Sequence, residues 1–132
     1  MGITDAAHDE YAHAAGQDPT GTSVVSLLAC SLAGTTVTLK LMDNTRLAGM
    51  HAGVEPVVEQ TTCNYGLDPK VQQIANGNGM AVSAIDETGE VRAIERTDHP
   101  YFFATLYQPQ LTTSVASPHP LLTGLVAAAL AN

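Results

Sequence analysis

The chain predicts an α/β or α+β fold in which helices flank a mixed sheet. Three observations carry this. Runs rich in strand formers are interspersed with segments that carry helix punctuation. "TTVTLKLM" (35–42) sets Val37, Leu39 and Leu41 against Thr36, Thr38 and Lys40, the two-residue period of a half-buried strand. "PLLTGLVAAALA" (120–131) opens on a proline suited to the first helical position and keeps Leu121, Leu122, Leu125, Val126 and Leu130 on one side.

The elements follow in order. Residues 4–15 predict a short alanine-rich helix capped by Thr4, and "GQDPTGT" (16–22) ends it with Gly and Pro. "SVVSLLAC" (23–30) reads as a buried strand, 35–42 as a strand with one wet face, and "DNTRLAGM" (43–50) as a loop with one helical turn. "GVEPVVEQTTCNY" (53–65) is a further strand, and Pro56 near its start suits an edge. In "DPKVQQIANGNG" (68–79), Asp68 caps a helix, Pro69 takes its first position, and Gly77 and Gly79 stop it. "MAVSAIDETGEVRAIE" (80–95) is a hairpin turning at Glu87-Thr88-Gly89, and "YFFATLY" (101–107) is the most apolar strand.

Composition limits the function. At 132 residues the chain fits one domain spanning 1–132, long enough to bury a core without disulfides. Apolar residues make up 45% and charged residues only 14%, so much of the surface is expected to be shared with another chain. Five basic against 13 acidic residues give a net charge of −8, which repels phosphate and excludes nucleic-acid and anionic-membrane binding. No apolar run approaches the ~20 residues of a membrane span. The acidic start "MGITDAAHDEYAHAAGQD" lacks the apolar core of a leader, so the chain is expected to be cytoplasmic.

Residues 80–129, "MAVSAIDETGEVRAIERTDHPYFFATLYQPQLTTSVASPHPLLTGLVAAA", resemble the C-terminal part of the glutamine amidotransferase domain of CTP synthases. The shared features are a hairpin leading to "DHPYF", a strand running into an x-Pro-x elbow, a Ser-rich loop, and "PHPLLTGLV" opening the last helix. Together with "GITDAAHDE", "LACSLAG" and "CNYGLDP", the chain is similar to small CTP-synthase-C-terminal-related proteins of the class I amidotransferase superfamily. The resemblance implies a doubly wound domain with a mixed, mainly parallel-type sheet. It also implies that only the second half of that domain is here, the nucleophile elbow falling before residue 2.

That family works with a Cys on G-x-C-x-G and with His and Glu in H-P-E, a thiol, its base and an orienting carboxylate. Here no G-x-C-x-G occurs; Cys30 lies in "LLACSLAG" and Cys63 in "QTTCNYG". The H-P-E positions hold Gln108-Pro109-Gln110, and an amide is neither a general base nor an orienting anion. The basic segment expected to hold glutamine's carboxylate is replaced by the uncharged Gln60, Thr61, Thr62, Cys63 and Asn64. The expectation is a degenerate amidotransferase-like protein without glutaminase activity. Either it is repurposed for chemistry on a small polar substrate, or it is a subunit of a split domain or a non-catalytic ligand-binding or regulatory module.

Cys63 is the candidate catalytic residue, read either as a nucleophilic or redox thiol or as a half-buried inert one. Gln108, Gln110, Asn64 and Tyr65 are the candidate ligand-binding residues; the same two glutamines could instead cap backbone groups. Asp5, His8 and Asp9 share one face of the expected first helix, where a solvated acidic face outweighs a metal site or an acid–base pair of His8 with Asp9 or Glu10. His99 and His119 stand beside prolines and read as structural. No metal and no cofactor are expected. The expected partner is a second copy or a chain carrying the missing N-terminal half, because half a doubly wound sheet leaves a bare strand edge.

Overall fold

A computed structural model describes residues 2–18, 20–28, 31–72 and 75–131. Cys30 lies outside the described residues. Eight strands and four α-helices are assigned among them: β1 (Ala6–His8), α1 (Asp9–Ala14), β2 (Thr22–Leu27), β3 (Thr35–Leu41), α2 (Arg46–Met50), β4 (Val57–Thr61), β5 (Tyr65–Leu67), α3 (Pro69–Gln72), β6 (Met80–Asp86), β7 (Val91–Arg96), β8 (Phe103–Thr105) and α4 (Pro120–Leu130). A short 3-10 turn covers Pro109–Leu111.

The strands form a three-stranded sheet, β1-β2-β5, and a five-stranded sheet, β4-β3-β6-β7-β8. The fold is α/β, but the sheets are not mainly parallel. All four pairings of the larger sheet are antiparallel, and β1 with β2 is the parallel pair among the described strands. For β6 with β7 and β7 with β8 the short connections require this, because a parallel pair needs a crossover of a dozen or more residues. β6 and β7 are joined by four residues closed by Asp86, whose Oδ1 accepts Thr88 N–H at 2.8 Å and Glu90 N–H at 3.1 Å. Gly89 sits in this turn at φ +88°, a backbone open to glycine at little cost.

Each face of the larger sheet is covered. Val37, Leu39, Val57, Ala84 and Ala93 bury against Leu47 of α2, Leu121 of α4 and Tyr107. Val82 and Val91 join Leu67 of β5, Val71 of α3 and Ala75 on the other side. Two compensating bulges, with Ser83 extra in β6 and Arg92 extra in β7, switch Val82 and Val91 to that second face. Arg92 is buried there and pairs with Asp86 at 2.7 Å.

Several expected elements moved. Residues 4–15 form β1 followed by α1 from Asp9, not one helix, because β1 pairs with β2 and tertiary pairing overrides alanine's helix preference. Asp5, His8 and Asp9 therefore share no helical face. Asp5 instead accepts the Thr22 hydroxyl, and Asp9 the Ser23 hydroxyl at 2.5 Å. The run 53–65 resolves into β4 and the start of β5, with β4 at a sheet edge as Pro56 suggested. In α4 only Leu121 is buried, while Leu122, Leu125, Val126 and Leu130 are exposed.

Candidate functional site

β8 leads through Tyr107 into the elbow Gln108-Pro109-Gln110. The elbow is stitched to the end of β4. Gln108 N–H donates to Gln60 C=O at 2.9 Å, and Thr61 Oγ1 donates to Leu106 C=O at 2.9 Å. The Gln108 side-chain oxygen accepts Thr62 N–H at 2.8 Å, so half of this amide is occupied by backbone. Gln110 is exposed, and its side chain makes no hydrogen bond among the described residues.

The structure brings Gln108 beside the Thr62–Cys63 segment but disperses the rest of the expected set. Cys63 is half-buried; its N–H donates to Thr61 Oγ1 at 3.3 Å, and its Sγ accepts Tyr65 N–H at 3.4 Å. Among the described residues no histidine or carboxylate hydrogen-bonds this thiol. Asn64 is tied to the segment after β2 by accepting the Ser31 hydroxyl at 2.5 Å. Tyr65 turns toward α1, its hydroxyl 3.4 Å from His13 Nδ1 and its ring 6.3 Å from that of His8. His99 accepts Tyr101 N–H at 3.2 Å through Nδ1, a structural cap.

Below the elbow lies a polar cluster that the sequence reading missed. Glu59, His51 and His119 are each at least 95% buried, and their ligand-type atoms lie within 4.8 Å of one another. Glu59 reaches the interior because the strand alternation places it on the same face as Val57 and Thr61. His119 arrives as the N-cap of α4 and His51 as the C-cap of α2. The signal was a carboxylate on the buried register of an alternating strand, but its partner is 60 positions away.

Two histidines and a glutamate suggest a divalent metal, but the hydrogen bonds argue against it. His119 Nδ1 accepts Leu121 N–H at 3.0 Å, so the ring proton sits on Nε2 and is donated to Glu59 Oε1 at 2.7 Å. A histidine that gives Nε2 to a metal carries its proton on Nδ1, where it needs an acceptor. Here that position faces another N–H donor. Glu59 Oε2 is also occupied, accepting the Thr112 hydroxyl at 2.7 Å. The cluster is a tie joining β4, the loop after the elbow and the start of α4. His51 packs edge-on against His119 at 5.5 Å, and its Nε2 has no partner among the described residues. Burial first, then the neighbouring His119, holds His51 below the usual histidine range, with Glu59 pulling the other way. Burial, reinforced by the Glu59 charge, pushes the Tyr107 hydroxyl far above its usual value.

No protein-family profile matches the chain. It is 38% identical over 78 residues to a CTP synthase of Christiangramia forsetii, covering 58% of this chain and 14% of that one. It is 32% identical over 91 residues to a CTP synthase of Flavobacterium psychrophilum, covering 68% and 17%. A Trypanosoma brucei CTPS glutaminase domain with bound acivicin superposes with a TM-score of 0.76 at 21% identity, over 97% of this chain and 52% of that one. The chain is class I glutamine amidotransferase-related, a partial CTP-synthase-like domain. A Thermoplasma acidophilum protein described as a GMP synthase subunit superposes more loosely, with a TM-score of 0.56 at 12% identity over 81% of this chain and 48% of that one. This amidotransferase-related chain thus spans under a fifth of these CTP synthases and about half of these solved chains. Among its described residues no helix is long and apolar enough to cross a membrane.

Proposed function

We propose that this chain is an amidotransferase-derived module that does not hydrolyse glutamine and works by pairing with another chain, residues 1–132 folding as one unit. The observation that carries the first part is Gln108. At the elbow position where the related enzymes hang a base, it offers an amide whose oxygen is engaged with Thr62 N–H. Glutamine hydrolysis by a thiol needs a base within hydrogen-bonding reach of the sulfur and an anion to orient it. Among the described residues the Cys63 sulfur meets the Tyr65 N–H and no base. The partnership rests on the mostly exposed apolar side of α4.

The test is mass spectrometry of the intact protein after incubation with acivicin, the compound bound to the T. brucei domain, alongside a coupled assay for ammonia release from glutamine. The expected outcome is an unchanged mass and no ammonia above the buffer rate. A one-to-one adduct on Cys63, abolished in Cys63→Ala, would overturn the non-catalytic reading and restore the thiol as a working nucleophile.

A second reading is supported by Gln110. An exposed amide beside the remaining NH2 of Gln108 gives the elbow donors and an acceptor for a small uncharged or zwitterionic ligand. Glutamine or glutamate that raises the melting temperature of the wild type, and not of Gln110→Ala, would favour this reading over a purely scaffolding one.

A further inference from the structure

The last quarter of the chain differs electrically from the rest. All charged residues lie at or before Asp98; positions 99–132 contain no Asp, Glu, Lys or Arg. The same segment contains the edge strand β8 and the helix α4. A chain of net charge −8 resists meeting its own copy, except through a neutral face from which its charges are screened.

The β8 edge is open in a defined register. β8 is the last strand of its sheet and pairs with β7 as Ala93–Thr105, Ile94–Ala104 and Glu95–Phe103. Arg96 N–H donates to Phe102 C=O at 3.2 Å, and Leu106 N–H donates to Arg92 C=O at 2.9 Å. Bonding direction alternates along an antiparallel strand. The main-chain groups of residues 102, 104 and 106 therefore face β7, and those of Phe103 and Thr105 face outward. Beside this edge runs an apolar groove of about 160 Å³, lined among others by Val24, Val25, Leu67, Ile94, Ala104 and Leu106. On the other face, α4 packs near the start of β8, since the Tyr101 hydroxyl donates to Leu121 C=O and the Tyr101 ring abuts Gly124. Its outer side exposes Leu122, Leu125, Val126, Ala129 and Leu130, the i, i+3, i+4, i+7, i+8 spacing of a helix-packing stripe.

We propose that a second copy of this chain seats on this face, β8 pairing antiparallel with β8 across a two-fold axis and the two α4 stripes packing beside it. This rests on the reading that the chain works by pairing, and it names the partner. The register is self-complementary. Phe103 stands opposite the partner's Thr105, and Thr105 opposite the partner's Phe103. Both are outward-facing residues, so each exchange uses groups that are otherwise unpaired. Ala104 then meets its own copy at the axis, in the non-bonded position where strands approach to about 4.5 Å and a small side chain is needed. A two-fold contact closes, so it removes the edge that would otherwise template aggregation.

Multi-angle light scattering of the whole chain at micromolar concentration tests this, with Ala104→Lys and Leu125→Glu as variants. Both positions are exposed, and circular dichroism checks that the fold is kept. The expected wild-type mass is twice the 13.7 kDa of the chain, and each variant weakens dimerisation by at least about tenfold. A monomeric wild type overturns the proposal. So does a dimer that survives either variant, or a stoichiometric second polypeptide occupying the face. Failure here is separable from failure of the functional reading: ammonia release by an intact dimer sinks that reading alone, and an inactive monomer sinks this proposal alone.

Discussion

Replacing His119 by alanine removes two interactions at once, and the structure permits an estimate of each. The first is the cap on α4, where Nδ1 accepts Leu121 N–H at 3.0 Å; losing a side-chain N-cap costs about 1 kcal/mol. The second is the Nε2–H donated to Glu59 at 2.7 Å; a hydrogen bond to a charged group is worth roughly 1.5–3 kcal/mol, and here the carboxylate stays buried without it. Together His119→Ala should cost about 3–4 kcal/mol. For a domain of this size that lowers the melting temperature by roughly 12–16 °C. Glu59→Gln is the informative contrast. Its side-chain oxygen still accepts from His119, and its NH2 can donate to the Thr112 hydroxyl, which turns to accept. Without a buried charge to satisfy, it should cost about 1 kcal/mol or less. His119→Asn keeps a capping oxygen and loses the donor to Glu59, so it should fall between the two. Differential scanning fluorimetry and urea titration at neutral pH measure all three. If Glu59→Gln costs as much as His119→Ala, the negative charge is essential and the account of the cluster is wrong. If zinc raises the wild-type melting temperature at stoichiometric concentration and fails to do so in His51→Ala, the cluster is a metal site.

Three further outcomes follow from other parts of the structure. Folded His51 sits below its ordinary value of 6.5, so the unfolded chain takes up a proton there that the folded chain resists. Its contribution is present above about pH 6.5 and is lost as pH falls, and His51→Gln should flatten the stability profile below about pH 6.5 relative to wild type. Burial alone would raise the Asp86 carboxyl, but hydrogen bonds from Thr88 and Arg92 and the Arg92 charge outweigh it and hold the group below its ordinary 3.8. Its stabilisation is therefore present above about pH 3.8 and fades in stronger acid. Asp86→Ala, which strands Arg92 in the interior, should cost about 3–5 kcal/mol by urea denaturation, while adding Arg92→Met should recover the part due to the stranded charge and leave the loss of the turn's Thr88 and Glu90 hydrogen bonds. Gln108→Ala should cost about 1 kcal/mol through the freed Thr62 N–H, and Gln110→Ala should change stability by no more than about 0.5 kcal/mol; equal effects would contradict the separate roles of the two amides.

Part of the elbow's chemistry was legible without coordinates. Gln108 and Gln110 are amides, which hydrogen-bond but neither titrate nor carry charge, and that much is read from residue type alone. What those amides do was not legible. The structure shows Gln108 holding Thr62 and Gln110 free in solvent, because hydrogen-bond partners depend on the approach of β4 to the elbow. Cys63, Asn64 and Tyr65 are adjacent in sequence yet face different neighbours, since the chain turns between β4 and β5 and sends Tyr65 toward α1.

The sequence by itself determined the local punctuation. Asp68 caps α3 by accepting Lys70 N–H at 2.9 Å, Pro120 opens α4, the hairpin turns between Asp86 and Val91, and the alternation of β3 buries Val37 and Leu39. Each of these is set by interactions a few residues apart, which residue types encode directly. Only the tertiary structure decided the rest: that the larger sheet is antiparallel, that residues 6–8 join a sheet instead of a helix, and that Glu59 and His119 meet in the core. Nor could amphipathicity say whether the apolar side of α4 turns inward. A helical period identifies which side is apolar, but what covers that side depends on surfaces brought together from elsewhere. Here one leucine reaches the core, and the others face outward.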